Sequence, residues 1–333
     1  MTRALAPSFP GAVVRRVTRR DAVSGTNRRA RLLLAYDAGD GPASVFVKRE
    51  GSWPNRLALL ALRALESEAL LYCSGAPLPL EHPAAYAAAV DRRRLAVVVV
   101  LEDVTQRGAQ PHAFERPLTP EQVASGCAGL ARLHGAYWDR PRPRALDFVG
   151  PWRLGRPLAP ISWASLRRAL HLLRKGGHEE LLRPDLDAGS LERGFRRWAT
   201  CAREGPQTLL HGDPHPGNAY ALAGGATGFY DWQLVRSGSW VHDVGYFVVS
   251  SLAVADRRAH ERELLAGYLA ELARAGAPAP DRATAWDRYR LTPVFGLGTW
   301  LHTLSGGGFQ PARTCLVAIE RFAAAEADRA AGR

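Results

Sequence analysis

The first hundred residues set short apolar, strand-like runs between turn-forming polar residues. RARLLLAYD (29–37) and ASVFVKR (43–49) are two such runs, separated by GDGP at 39–42, and they predict a hairpin. From Asn55 to Cys73 the period changes. Leu57, Leu60, Ala61, Ala64, Leu65 and Leu71 recur near helical spacing and predict one helix. Two further runs, AAYAAAV and LAVVVVLEDV, flank a turn at 91–94 and predict two more strands. The predicted order is strand, strand, helix, strand, strand.

Beyond Val104 the pattern becomes helical. Thr119, Pro120 and Gln122 combine a capping hydroxyl, a proline in the first turn and a capping-box amide, and the stripe Val123, Cys127, Leu130, His134, Tyr137 continues behind them. Residues 140–160 are rich in proline and arginine and read as irregular. Helical spacing resumes at Trp163 and recurs over 256–276, 281–304 and 311–331. The chain therefore reads as α+β, with a small β-rich lobe over 1–103 and a larger, mostly helical lobe over 104–333. The apolar run LAVVVVL is far shorter than the roughly 20 residues that span a bilayer. The N-terminal segment also lacks the apolar core of a secretory signal. A cytoplasmic protein with no membrane partner is expected.

Composition adds one caution and one clue. The 333 residues carry a formal charge of +12, which raises the question of a nucleic-acid partner. The arginines are spread through the whole chain, however, and the densest run (Arg15, Arg16, Arg19, Arg20, Arg28, Arg29 and Arg31) has no interleaved aromatics. It reads as a solvated face, and no nucleic-acid partner is expected. The clue is that Lys48 and Lys175 are the sole lysines among 44 basic residues. The four cysteines are widely separated, which predicts neither a disulfide framework nor a cysteine zinc site.

Reactive side chains concentrate in LLHGDPHPGNAYAL (209–222), GFYDWQ (228–233) and WVHDVGYF (240–247). A short apolar strand runs into a turn dense in glycine and proline, which fans Asp213 and Asn218 towards one pocket. A return strand carries Asp231 at its tip. Two carboxylates and an amide supply the oxygen ligands that Mg²⁺ prefers. Alternatively, His211, Asp213 and His215, joined by Asp231, His242 and Asp243, would be the ligands of a metal-dependent hydrolase, although Pro214 and Pro216 argue against the regular strand this needs. His211 and His215 otherwise brace the loop.

HGDPHPGN followed by FYDWQ resembles the catalytic and metal-binding segments of the aminoglycoside phosphotransferase and choline kinase-like superfamily, and LARLHGAYWDRP with VVVLEDV is similar to its ecdysteroid-kinase-like branch. The resemblance implies a two-lobed protein-kinase-like fold and a small-molecule kinase. Asp213 and Asn218 keep the D-x-x-x-x-N spacing of a kinase catalytic loop. Asp213 would then accept the proton of a substrate hydroxyl, while Asn218 and Asp231 would hold Mg²⁺. Lys48, at the end of VFVK, would pair with the phosphates of ATP or GTP and with a helix carboxylate. Glu68 is preferred to Glu66 for that carboxylate, because the step to Tyr72 fits the family. Glu102, Asp103 and Val104 would read the base through main-chain groups, and Asp243 would brace the loop.

The departures carry information too. Ser24-Gly25-Thr26-Asn27 stands where a glycine-rich phosphate loop would be, with Gly25 its candidate. DWQ replaces DFG and no peptide-binding segment follows, so the expected partner is a hydroxylated small molecule and not a protein. A catalytically silent nucleotide-binding protein is the remaining alternative. Seven arginines against four acids over 282–333 disfavour a polycationic substrate, and Trp286, Tyr289, Phe295, Trp300 and Phe309, with His302, are candidates for an apolar substrate wall.

Overall fold

The computed structural model describes residues 1–24, 27–151, 159–183, 185–306 and 310–332. After a short helix α1 (Thr2–Leu5), five antiparallel strands form one sheet: β1 (Val13–Ser24), β2 (Arg28–Ala38), β3 (Ser44–Arg49), β4 (Ala85–Asp91) and β5 (Ala96–Glu102). Their order is β1-β2-β3-β5-β4. The four predicted strands are present, and β1 is an addition. Its sequence, VVRRVTRRDAVS, carries no clean alternation, and on this edge strand Val13, Arg15, Arg16, Val17, Arg19 and Arg20 are all exposed. Among the described side chains of β1 only Val14 is half-buried, and a strand with so little burial leaves no period-two signal.

The helix predicted over 55–73 is two helices, α2 (Trp53–Ala61) and α3 (Ser67–Ser74). Arg63 adopts φ +52°, with its N–H bonded to Leu60 O and that of Ala64 to Leu59 O, a double closure that ends α2. Arginine replaces the usual glycine there, so spacing alone did not reveal the stop. The break re-aims α3. Ala69 then packs with Val99 and Leu101 of β5, and Glu68 is buried towards the sheet.

The remainder is mainly helical: α4 (Pro120–Tyr137), α5 (Ala159–Lys175), α6 (Ala188–Cys201), α7 (Val241–Ser251), α8 (Val254–Arg274), α9 (Arg282–Tyr289), α10 (Thr292–Gly306) and α11 (Ala312–Ala330). The capping box at Thr119 and Gln122 forms as predicted, with N–H···O distances of 3.3 and 2.9 Å. The single helix expected over 281–304 is instead α9 and α10, because Pro293 cannot sit inside a continuous helix. Every residue of α7 is buried, so it forms the axis of the helical region. Short strands lie between the helices: β6 (Gln110–Pro111), β7 (Thr208–Leu210), β8 (Ala219–Ala221), β9 (Thr227–Phe229) and β10 (Arg236–Gly238). β8 and β9 form a hairpin, with β6 alongside β8, while β7 pairs with β10. No helix among the described residues is long and apolar enough to cross a membrane.

Candidate active site

Three segments distant in sequence meet at Lys48. Its register on β3 turns the side chain into the molecule, where Nζ lies 2.6 Å from Glu68 Oε2 and also contacts Asp231 Oδ1. Glu68 takes the position expected for it, and its other oxygen accepts the N–H of Trp232 at 3.2 Å. Glu66 instead pairs with Arg92 near the surface. Asp231 sits just beyond β9 with φ +70°, a conformation that aspartate tolerates better than most residues. Burial alone would raise the pKa of its carboxyl, but Lys48 and Arg29 together hold it below the usual carboxylate range.

Lys48, Glu68 and Asp231 close one end of a cleft of about 190 Å³, walled by Phe46, Leu101, Val104 and Tyr230. Glu102 and Asp103 complete its opposite side. The Glu102 N–H is bonded to Ala84 O, and its carboxylate is turned to Arg107 at 2.6 Å. Asp103 accepts from Ser44 Oγ at 2.6 Å and caps the short 3₁₀ turn Val104–Arg107 by accepting the Thr105 N–H. Gly25 lies outside the described residues.

Asp213 and Asn218 lie in the loop between β7 and β8. Asn218 Nδ2 donates to Asp213 O at 3.0 Å and to Asp213 Oδ2 at 3.2 Å. The buried Tyr246 hydroxyl faces the same carboxylate, and burial, then the charge of Asp213, keep that phenol protonated. Tyr230 N–H donates to Asn218 O at 3.1 Å, so the hairpin ties this pair to the strand end that carries Asp231. Gly212 has φ +87°, and a Cβ there would stand 1.9 Å from Leu234 O, so only glycine fits.

His134, His211, His242 and Asp243 hold this loop in place. The two oxygens of Asp243 accept the N–H groups of His211 (2.7 Å) and Gly212 (3.0 Å), and His134 adds a third bond at 3.2 Å. His211 spans from the Asp213 N–H to Tyr230 O, and His242 reaches Gly212 O. Asp243 lies in the first turn of α7 but does not cap it. Among the described residues no three His, Cys, Asp or Glu side chains are grouped to hold a metal ion, which is what the hydrolase alternative requires.

Burial lowers the pKa of His211 and His242 below 6.5, so both favour the neutral form in the fold. Their stabilisation is full above pH 6.5 and is lost as the pH falls through their folded values, because the unfolded chain binds those protons more readily. Asp243 is also lowered: burial opposes this, but the hydrogen bond and charge of His134 outweigh it. A second loss therefore begins below about pH 4. Calorimetric melting between pH 8 and pH 4 is expected to show the midpoint falling from near pH 6.5 downward; a flat profile to pH 5 would contradict neutral burial of these histidines.

Two residues of the cleft were not legible as such in the sequence. Arg29 and Arg31, read there as part of a solvated run, point into it: Arg29 Nη2 is 2.7 Å from Asp231 Oδ2, and Arg31 Nε is 3.0 Å from Asp103 Oδ2. Period-two alternation along β2 was the available signal. Asn27 also reaches Gln233 at 2.8 Å. The expected substrate wall needs correction. Tyr289 and Phe295 are core residues, the latter stacked on Trp198 at 4.2 Å, and Trp286 stacks on Tyr289. Trp300 packs on Phe114 at 4.7 Å and lies near His215, and His302 bonds Ser165. Phe309 lies outside the described residues. Of the arginines of this region, Arg288, Arg290 and Arg321 bond main-chain carbonyls and Arg329 pairs with Glu326.

A five-stranded sheet over a helical body, with a strand lysine bridged to a helix glutamate and to an aspartate beyond a hairpin, defines a protein-kinase-like fold. The sequence model of the phosphotransferase enzyme family (APH) matches residues 34–291, and the chain belongs to that family. It is a small-molecule kinase with a hydroxyl acceptor. Among solved structures, the chain is similar to choline kinase LicA from Streptococcus pneumoniae (13% identity, 99% of this chain and 97% of that one, TM-score 0.53). It is also similar to choline kinase from Cryptosporidium parvum Iowa II (10%, 95% and 89%, 0.53). A third similar structure is the amicoumacin kinase hAmiN (14%, 93% and 88%, 0.50). No curated protein matches the chain in sequence.

Proposed function

We propose that this enzyme transfers the γ-phosphoryl group of ATP or GTP to a hydroxyl of a small molecule, with Mg²⁺. The observation that carries the reading is the Lys48 ammonium shared by Glu68 and Asp231 at one end of a cleft walled by Phe46, Leu101, Val104 and Tyr230. Such a cleft suits a flat base against its apolar walls and phosphates at the Lys48 end. The structure of the amicoumacin kinase contains AMP-PNP and Ca²⁺, in agreement with that use of the fold.

The donor set suits Mg²⁺, which binds through one or two protein oxygens and completes its shell with water and phosphate. Asp231 is held ionised, and Asn218, with its nitrogen turned to Asp213, offers its amide oxygen. When bound, the ion neutralises phosphate charge. Lys48 fixes the nucleotide phosphates, and Glu68 fixes Lys48. Asp213, steadied by Asn218 and Tyr246, orients the acceptor hydroxyl and takes its proton. The hydroxyl oxygen bonds to the γ-phosphorus as the bond to the nucleotide's bridging oxygen breaks. No peptide platform is needed for this chemistry.

The test is nucleotide consumption by the purified chain against a library of hydroxylated metabolites and antibiotics, paired with Asp231→Asn. The variant is expected to lose affinity for the Mg²⁺-nucleotide far more than for the metal-free nucleotide, as calorimetry with and without Mg²⁺ would show. Equal losses would remove Asp231 from the metal, and absence of nucleotide binding by the unaltered chain would overturn the reading.

A further inference from the structure

Arg29 on β2 and Lys48 on β3 are direct cross-strand partners, and both side chains line the cleft. Like charges so placed repel, and the pair needs an anion between them. In this structure Asp231 supplies it: one carboxylate oxygen contacts Lys48 and the other lies 2.7 Å from Arg29. The two cations are not equivalent. The Lys48 side chain is 6% exposed and has Glu68 as a second partner, whereas that of Arg29 is 35% exposed and reaches Asp231 from the open side of the cleft. Arg31, two residues further along the same face, is engaged by Asp103 near the other end.

The carboxylate that holds Arg29 is also the one the kinase reading gives to the metal. With Asp231 turned to a divalent cation, Arg29 and Lys48 would remain face to face without their shared anion. A nucleotide polyphosphate restores it, and a guanidinium can grip two phosphate oxygens at once. We propose that Arg29 is a polyphosphate-binding residue that exchanges Asp231 for the terminal phosphates when the nucleotide binds, shielding that carboxylate while the cleft is empty. The inference rests on the kinase reading and adds to it a cation outside the Lys48, Glu68 and Asp231 set.

The experiment is calorimetric titration of the full chain, its Arg29→Gln variant and its Arg29→Lys variant with adenosine, Mg·ADP and Mg·AMP-PNP. Arg29→Gln is expected to bind adenosine as the unaltered chain does, to lose about tenfold in affinity for Mg·AMP-PNP and to lose less for Mg·ADP. Arg29→Lys keeps the charge without the fork and falls between; it serves as the reporter if the glutamine variant does not fold. Unchanged affinity of both variants for Mg·AMP-PNP would overturn the proposal and leave the kinase reading standing. An equal loss for adenosine would also overturn it, making Arg29 a structural prop. No binding of Mg·AMP-PNP by the unaltered chain would remove both.

Discussion

Asp213→Ala is expected to lower phosphoryl-transfer turnover by roughly 10²-fold or more, the usual consequence of losing a positioned proton acceptor. The fold around it is expected to persist. Asn218 keeps its bond to the main-chain carbonyl of residue 213 at 3.0 Å, and the bonds from His211 and Gly212 to Asp243 do not involve the lost carboxylate. Asp213 also lies apart from the cleft that Lys48, Glu68 and Asp231 close, so nucleotide affinity is expected to stay nearly unchanged. Steady-state turnover alongside nucleotide titration separates the two effects. Near-normal turnover would remove Asp213 from the mechanism, and a parallel fall in nucleotide affinity would show that the substitution had disturbed the loop.

Gly212→Ala is expected to be among the most damaging single substitutions outside the hydrophobic core. The residue holds φ +87°, and its Cβ would meet a main-chain oxygen at 1.9 Å, with no flexible side chain to give way. It cannot simply move, since its N–H is fixed by Asp243 and its carbonyl by His242. Backbone strain and forced displacement together cost about 3 kcal/mol or more, and the thermal midpoint should fall by roughly 4 °C or more. Activity measured well below that midpoint is expected to fall as well, because Asp213 is the next residue. An unchanged melting curve would mean that the turn between β7 and Asp213 can be rebuilt at little cost.

The sequence made legible whatever leaves a local or spaced signature. The hairpin of β2 and β3, the capped start of α4 and the three segments that carry Asp213, Asn218, Asp231 and Asp243 could all be read directly, because turn chemistry, capping and motif spacing act over a few residues. Three kinds of feature could not. β1 half-buries Val14 alone among its described side chains and so shows no period. The end of α2 depends on an arginine in a left-handed conformation, stabilised by closures that no residue type announces. The roles of Arg29 and Arg31 depend on register: β2 alone shows that they share a face, but that this face meets Asp231 and Asp103 is decided by partners about 200 and 70 residues away. The helical aromatics failed for a related reason, since a stripe at helical spacing is the same whether it meets a neighbouring helix or a ligand.

The outer edge of the sheet gives the arginine excess a second meaning. β1 is the terminal strand, its pairing spent on β2 along one side, and Arg15, Arg16, Arg19 and Arg20 stand exposed along it. The edge of a terminal strand is a template on which another chain can add its own strand, and although Thr2 Oγ1 takes the Val14 N–H, this strand is twelve residues long. Another copy approaching edge to edge would bring the same four guanidinium groups against these four. Such repulsion would oppose growth of the sheet beyond one molecule, a use for these exposed arginines that does not depend on the packing of a single chain.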